Sequence, residues 1–357
     1  LQVPVSRGYF MATKRISTGW RGFSNAKETS YGTPAVISTA FNFEGPITDI
    51  QPNEVHTDQN EVTGLNEPSI QEILNWKLDG SHQQRAMPHN LAFFLALVMG
   101  KVTTDQPDNI NDATVYRHFI ERDLTNIILP SVTLVEYDGI ANKRFSGLFG
   151  KSVKVSGSRG DFVKLEVQFG GMGKEEANAD SKPTVVGESY LRYGDVNFTR
   201  GGSLSGTVAG GNLAVGGSPT SFKADLQSFE WTMDNQAQTF YEMGDGSGYV
   251  TRVERGDRFQ QNLSAVLEMQ DDSHKSALVN GSEYVLNIPV TGAVIAGGSG
   301  SFNYSCELIF PKVVYKEAKK DRDGEVVTVN AEFQVLEDTT YGSAIVKVIN
   351  EQTGYLI

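Results

Sequence analysis

The chain has 357 residues, 39% apolar and 21% charged, with 37 glycines, which suits a folded, turn-rich β-protein of two packed domains or one large one. Its formal charge of −12 argues against a basic groove that holds nucleic acid by neutralising phosphates. A single cysteine, Cys306, excludes an intrachain disulfide and a disulfide-stapled secreted scaffold, and fits a reducing compartment.

The longest apolar run, residues 91–99, falls far short of the roughly 20 residues a membrane helix needs. The opening LQVPVSRGYFMATKR lacks the hydrophobic core and small-residue cleavage site of a secretory signal.

In chain order, the residues up to about Asp79 read as a polar, turn-rich arm carrying strands, with short apolar pieces such as 35–43. Pro88, His89 and Asn90 then introduce the run 91–99, apolar on every side and stopped by Gly100. That predicts a short buried helix with a glycine C-terminal cap, lying against a sheet.

From Val115 onward period-two alternation dominates. Val163, Leu165, Val167 and Phe169 alternate with Lys164, Glu166 and Gln168, and the preceding KSVKVSGSRGD supplies a partner strand and a turn, a hairpin with one wet face. Charged and poor in apolar residues, 173–183 (GKEEANADSKP) reads as a linker or exposed loop, and residues 201–217, glycine-dense with isolated apolar residues, as a mobile excursion outside the core. Phe229, Trp231 and Met233, then Leu263, Ala265, Leu267 and Met269, mark two more half-buried strands.

Asp271, Asp272 and Ser273 are helix-start residues and Asn280–Gly281 a helix end, so a second short helix is expected between them. Phe302, Tyr304, Cys306, Leu308 and Phe310 share one strand face and Val327, Val329, Ala331, Phe333 and Val335 another, joined through a turn at Asp323 and Gly324. A strand over 344–349 closes the chain. Each half thus carries several strands and one glycine-terminated helix, a hint of duplication that places the domains at 1–172 and 173–357.

Little of this can do chemistry. His56, His82, His89, His118 and His274 form no HxxxH or HExxH pattern, and each reads as a surface or hydrogen-bonded residue. His274 beside Asp271 and Asp272 could bind a divalent ion, but those acids are good helix-start residues and the cap is the better reading. Asp321, Asp323, Glu325 and Glu332 have calcium-loop spacing, yet position six is Val326 instead of the required glycine and a strand pattern runs straight through. A hairpin is the better reading. The tripeptide Arg159-Gly160-Asp161 sits in a turn, where Gly and Asp are expected anyway. Asn280-Gly281-Ser282 matches a glycosylation acceptor that means nothing without a secretory route. The glycine clusters lack the Lys and Ser/Thr of a phosphate loop, and no carboxylate pair stands out for glycoside hydrolysis.

Several segments together carry a resemblance. AKETSYGTP (26–34), PHNLAFFLALVMG (88–100), RHFIERDLTNIILPSVTLVEYDG (117–139) and RFSGLFGKSVKVSGSRGDFVKLEVQFGG (144–171) come from the first half; LQSFEWTMDNQAQ (226–238) and ELIFPKVVY (307–315), a late strand interrupted by Pro, come from the second. In this order the chain resembles the major tail-tube protein family of long-tailed, siphovirus-type bacteriophages. Residues 201–217 match nothing expected of that family.

The resemblance implies mainly β, sandwich- or barrel-type domains with short flanking helices, whose inner sheets join neighbouring copies into a closed β-barrel around a DNA conduit. It implies no enzyme activity and no cofactor. A trimer of two-domain chains with about four strands per domain gives roughly 24 strands, a barrel about 45–50 Å across between backbones at ~4.8 Å spacing and ~40° tilt; a hexamer with one conduit domain per chain is the other arrangement. The implied partners are further copies of the chain, the tape-measure and tail-terminator proteins, and DNA passing without specific binding, with no membrane. Assembly is expected in the host cytoplasm. Acidic balance then favours sliding over sticking.

Candidate lumen residues are Glu166, Gln168, Glu230, Thr232, Ser264 and Glu268, with Lys154 and Lys164 weighing against a purely acidic wall. Candidate ring-stacking elements are the N-terminal arm and Gly201, Leu204, Val208, Leu213 and Val215. The competing readings are another β-rich virion part (tail terminator, distal tail or decoration protein) and a contractile or secretion-system tube protein.

Overall fold

Two strands too long for any single sheet organise the molecule, seen here in a computed structural model that describes residues 19–37, 39–41, 51–58, 71–137, 141–177, 182–187, 189–244, 246–256, 259–296, 302–323 and 326–356. In chain order the main elements are β1 (Trp20–Phe23), β2 (Gln51–Asp58), β3 (Gln71–Arg85), α1 (Pro88–Met99), β4 (Gly100–Asp105), β5 (Tyr116–Arg122), β6 (Val132–Tyr137), β7 (Asn142–Ser158) and β8 (Lys164–Gly171). They are followed by β9 (Leu226–Asp234), β10 (Gln260–Glu268), α2 (Ser273–Asn280), β11 (Tyr284–Val294), β12 (Asn303–Asp323), β13 (Val326–Val335) and β14 (Ile345–Asn350).

The C-terminal half of β7 and the C-terminal half of β12 lie in one long antiparallel sheet, ordered β2-β3-β8-β7-β9-β10-β13-β12. Their N-terminal halves leave it. That of β7 pairs with β6 and with Glu175–Ala177, and β6 carries β1; that of β12 pairs with β11 and β14, and β14 leads on to β5 and β4. Pro311 falls where the β11 register shifts between Leu286 and Tyr284. A residue without an N–H is tolerated at such an irregularity, so β12 is one continuous strand, and the expected interruption is a change of sheet.

Alternation explains which face is buried. Val153, Val155, Leu165, Val167, Phe169, Phe229, Trp231, Leu263, Ala265, Leu267, Ala331 and Phe333 all turn inward. Against them lies α1, every one of whose residues is buried, wedged between β7 on one side and β5 and β14 on the other. Pro88 opens it and Gly100, at φ 92, closes it, as expected from sequence. Phe23 from the arm completes an aromatic knot with Phe94 (centroids 5.4 Å, 88°) and Phe169 (5.5 Å), edge and offset contacts worth about 0.5–1.5 kcal/mol each beyond area.

The arm is pinned by a buried carboxylate. Glu28 accepts from Thr133 Oγ1 (2.8 Å), Ser131 Oγ (2.8 Å) and the N–H groups of Gly147 and Gly32 (both 2.9 Å), so its oxygens are satisfied by neutral donors. Nearby, Arg21 Nε donates to Glu136 Oε1 at 2.6 Å with both side chains buried.

Three expectations need correction. Residues 201–217 are no loose excursion: Ser203–Ser205 pairs with Ala214–Gly216, Leu213 is buried, and Leu204, Val208 and Val215 pack with it on Phe119, Ile309 and Ile345. The isolated apolar residues find a ready-made sheet surface, and glycines with positive φ (Gly202, Gly206, Gly211, Gly217) make the turns. Part of the expected linker is a strand, because Glu175 and Glu176 reach Lys143 and Arg144 across the ladder (3.2 and 2.6 Å). At α2 it is Asp271 that accepts the Ser273 N–H (2.8 Å), while Asp272 takes Lys320 Nζ (2.7 Å). The barrel expected between copies has no counterpart within one chain: among the described residues β2 pairs only with β3, and β12 from Val314 onward only with β13, so the long sheet is open at both edges.

Candidate functional site

Antiparallel registers decide which side chains share the wet face of the long sheet. Gln83 lies opposite Glu166, Glu166 opposite Lys154 and Lys154 opposite Thr232. Thr232 lies opposite Asn262, and Glu230 opposite Ser264, which faces Glu332. Directly opposed residues point to the same side. All six residues nominated for the lumen, Glu166, Gln168, Glu230, Thr232, Ser264 and Glu268, therefore fall on one continuous polar surface.

The charges on that surface are largely paired. Lys154 Nζ sits 2.8 Å from Glu230 Oε2, and that hydrogen bond, with Glu166 adding its field, holds the lysine above its usual pKa. Arg159 Nη1 reaches Glu268 Oε1 at 2.5 Å, and its Nη2 donates to the carbonyls of Ala224 and Leu226. The same contact pulls the Glu268 carboxyl below the ordinary range. Lys164 pairs with Asp161 (2.6 Å), which makes the Arg159-Gly160-Asp161 turn an electrostatic clasp, with Gly160 at φ 84. Glu166, Glu230, Asp234, Glu268 and Glu332 share this surface with Lys154, Lys164, Arg159 and, opposite Lys164, Arg85, which leaves only a small acidic excess.

The histidines are sequestered. His118 shares hydrogen bonds with Thr104 Oγ1 (2.9 Å) and Asn350 Oδ1 (3.1 Å), and Asn350 Nδ2 donates to Tyr355 OH (2.8 Å), itself 3.5 Å from His89 Nδ1. Burial pushes both rings down to about 4. His82 contacts Arg21 Nη1 (3.2 Å) and Gln84 Oε1 (2.9 Å), and His274 bonds Tyr315 OH (2.8 Å). The side chain of His56, and Gly324 and Glu325 of the calcium-like segment, lie outside the described residues. Cys306 is buried and its thiol pushed up by burial. Among the described residues no three His, Cys, Asp or Glu side chains come together as a metal site, and no helix is long and apolar enough to cross a membrane.

The apolar side chains nominated for ring stacking, Leu204, Val208, Leu213 and Val215, are engaged inside the chain; Gly201, at φ 90, turns into the hairpin. Sequence reasoning missed the two free edges. Charge does not mark them: β2 carries Glu54 and Asp58, and the outer half of β12 mixes Lys316, Lys319, Lys320 and Arg322 with Glu317, Asp321 and Asp323.

No curated protein matches the chain. The family model described as "Phage tail tube protein" matches residues 22–335, a span from β1 through β13 that contains the whole open sheet, its polar face and both edges. The chain belongs to the phage tail tube protein family and is a non-enzymatic structural component of the virion's tail.

Proposed function

We propose that copies of this chain close the open sheet on one another, the free edge of β12 in one copy pairing with the free edge of β2 in the next, to make a ring whose polar face lines a DNA conduit. The observation that carries this is the sheet itself: eight strands, greasy on one side, wet on the other, with an edge at each end that pairs with no further strand among the described residues. Exposed edges invite pairing, and closure removes them.

The strand order supports three copies per ring. β2-β3-β8-β7 and β9-β10-β13-β12 repeat one arrangement, a hairpin followed by a helix and then by two strands that enter the sheet in reverse order. Two such units, divided near residue 172, give eight strands per chain, and three chains give the roughly 24-stranded, ~45–50 Å barrel that passes a duplex. On the wet face, cations tied to carboxylates and an acidic remainder offer phosphate nothing to hold, which favours transport without recognition. Stacking along the axis then falls to the arm and to the polar exterior of 201–217, and the tape-measure and tail-terminator proteins are the expected further partners.

Native mass measurement of isolated rings together with micrographs of the polymer tests this. Rings of three and long hollow tubes are expected; a protein that stays monomeric at assembly concentrations, or rings of six, would overturn the arrangement.

A further inference from the structure

The chain contains a seam between its two four-strand groups, and it is antiparallel. β7 meets β9 with Ser152 opposite Asp234, Val153 opposite Met233 and Lys154 opposite Thr232. The two groups also share an irregularity. The β7–β8 register slips by one residue between Gly150 and Ser152, leaving Lys151 unpaired; the β12–β13 register slips in the same sense between Tyr315 and Glu317, leaving Lys316 unpaired. On each side of the slip the neighbours correspond: Gly150 with Phe169 matches Tyr315 with Phe333, and Val153 with Val167 matches Ala318 with Ala331.

Matched bulges fix the superposition of β7 on β12, since a one-residue error would turn every side chain to the other face. Following the ladders outward, His82 opposite Val167 matches Ala265 opposite Ala331. Gln51, Pro52 and Asn53, opposite Asp79, Leu78 and Lys77, then occupy the places of Thr232, Met233 and Asp234.

Resting on the ring reading above, we infer that the seam between copies repeats the seam within the chain, antiparallel and in one register: Glu317 opposite Asn53, Ala318 opposite Pro52 and Lys319 opposite Gln51 of the next copy. In a closed barrel the total stagger is the sum over all seams, and seams of equal register keep every strand at the same tilt. The chemistry agrees. Ala318 and Pro52 join on the greasy side, as Val153 and Met233 do. On the wet side Glu317, which already touches Lys319 (3.4 Å), and Lys319 itself each meet an amide residue, so no like charges are opposed. Pro52 brings no N–H where Met233 has one, so the seam between copies has at most one backbone bond fewer.

Cysteine pairs read the register directly, because opposed Cβ atoms stand about 4.5–5.5 Å apart and diagonal ones about 7–8 Å, while a disulfide needs ~3.5–4.5 Å. The native Cys306 is buried and stays silent. Ser152→Cys with Asp234→Cys, the corresponding pair inside the chain, reports how readily this geometry oxidises. In assembled tubes Asn53→Cys with Glu317→Cys is expected to form covalent rings of three with a yield like that internal control, and several-fold above Asn53→Cys with Lys319→Cys or Gln51→Cys with Glu317→Cys. Preferred linkage by either offset pair would overturn the register and leave the ring standing. Tubes visible by microscopy in which the control oxidises and all three inter-chain pairs stay reduced would overturn the pairing of β12 with β2 as well.

Discussion

Arg255 donates from Nη2 to the backbone oxygen of Met99, the last residue of α1, at 2.6 Å. Its Nη1 reaches the carbonyls of Asp123 and Asn126. A buried guanidinium held by carbonyls instead of carboxylates loses affinity for its proton, and burial, helped by Arg122, lowers its pKa to about 10. It still answers the negative end of the helix, and it can do so only because position 100 has no side chain.

Gly100→Ala is expected to be disproportionately destabilising for a one-carbon change. The new Cβ would overlap Arg255 Nη2, and φ at this position is +92. Left-handed strain of about 1–2 kcal/mol adds to loss of a charged hydrogen bond worth about 1.5–3 kcal/mol. Urea unfolding of the unassembled chain should show a drop of about 3 kcal/mol; a change under about 1 kcal/mol would mean the guanidinium relocates freely.

Acid should loosen the molecule from the inside. His89 and His118 are held neutral by burial, with pKa values of about 4 against 6.5 for a free ring. The unfolded chain takes up protons that the folded chain refuses, so stability is intact above about pH 6.5 and falls as pH descends toward 4. Each ring contributes up to about 3 kcal/mol to that loss. Melting temperatures between pH 7.5 and 4.5 should fall steeply, and His118→Gln should flatten the slope; equal slopes for the two proteins would refute the assignment.

Leu213→Ala is expected to act on folding, not on stacking alone. The side chain fills a buried site against Phe119, Ile309 and Ile345, and truncating such a leucine costs about 2–5 kcal/mol. The check is thermal unfolding of the unassembled chain, where an unchanged melting temperature would return 201–217 to the status of a loose excursion.

Reversing the wet face should make DNA stick. Glu166→Lys with Glu230→Lys removes the partners of Lys154, whose exposed pair with Glu230 is worth less than about 1 kcal/mol, so assembly survives. Virions carrying the double variant should eject DNA several-fold more slowly at low salt, with the defect fading as salt screens the lumen. Ejection at the normal rate at every salt concentration would separate this surface from DNA passage.

Much of this architecture was legible in sequence, for identifiable reasons. Strands β8, β9, β10 and β13 alternate cleanly because α1 and the strands paired with the departing halves of β7 and β12 bury one face and leave the other wet, and α1 announces itself by being apolar all round between Pro88 and Gly100. β3 did not show itself, since its inward positions facing β8 include Gly80, His82 and Gln84, with His82 satisfied by Arg21 and Gln84. The hairpin within 201–217 was misread because its apolar residues make sense only against a sheet formed by residues more than eighty positions away on either side. Edges are invisible for a deeper reason: whether β2 and β12 have neighbours depends on every other pairing, and no local composition encodes that. The polar face, by contrast, followed directly from period-two alternation.

Hydrogen exchange of the backbone amides, followed before and after polymerisation, bears most directly on the claim that copies join through β12 and β2. Peptides covering residues 313–323 and 51–55 should gain strong protection on assembly, while those of β5 and β14, already paired on both sides within the chain, stay unchanged. Tubes in which the β12 and β2 peptides exchange as fast as in the free chain would contradict the account.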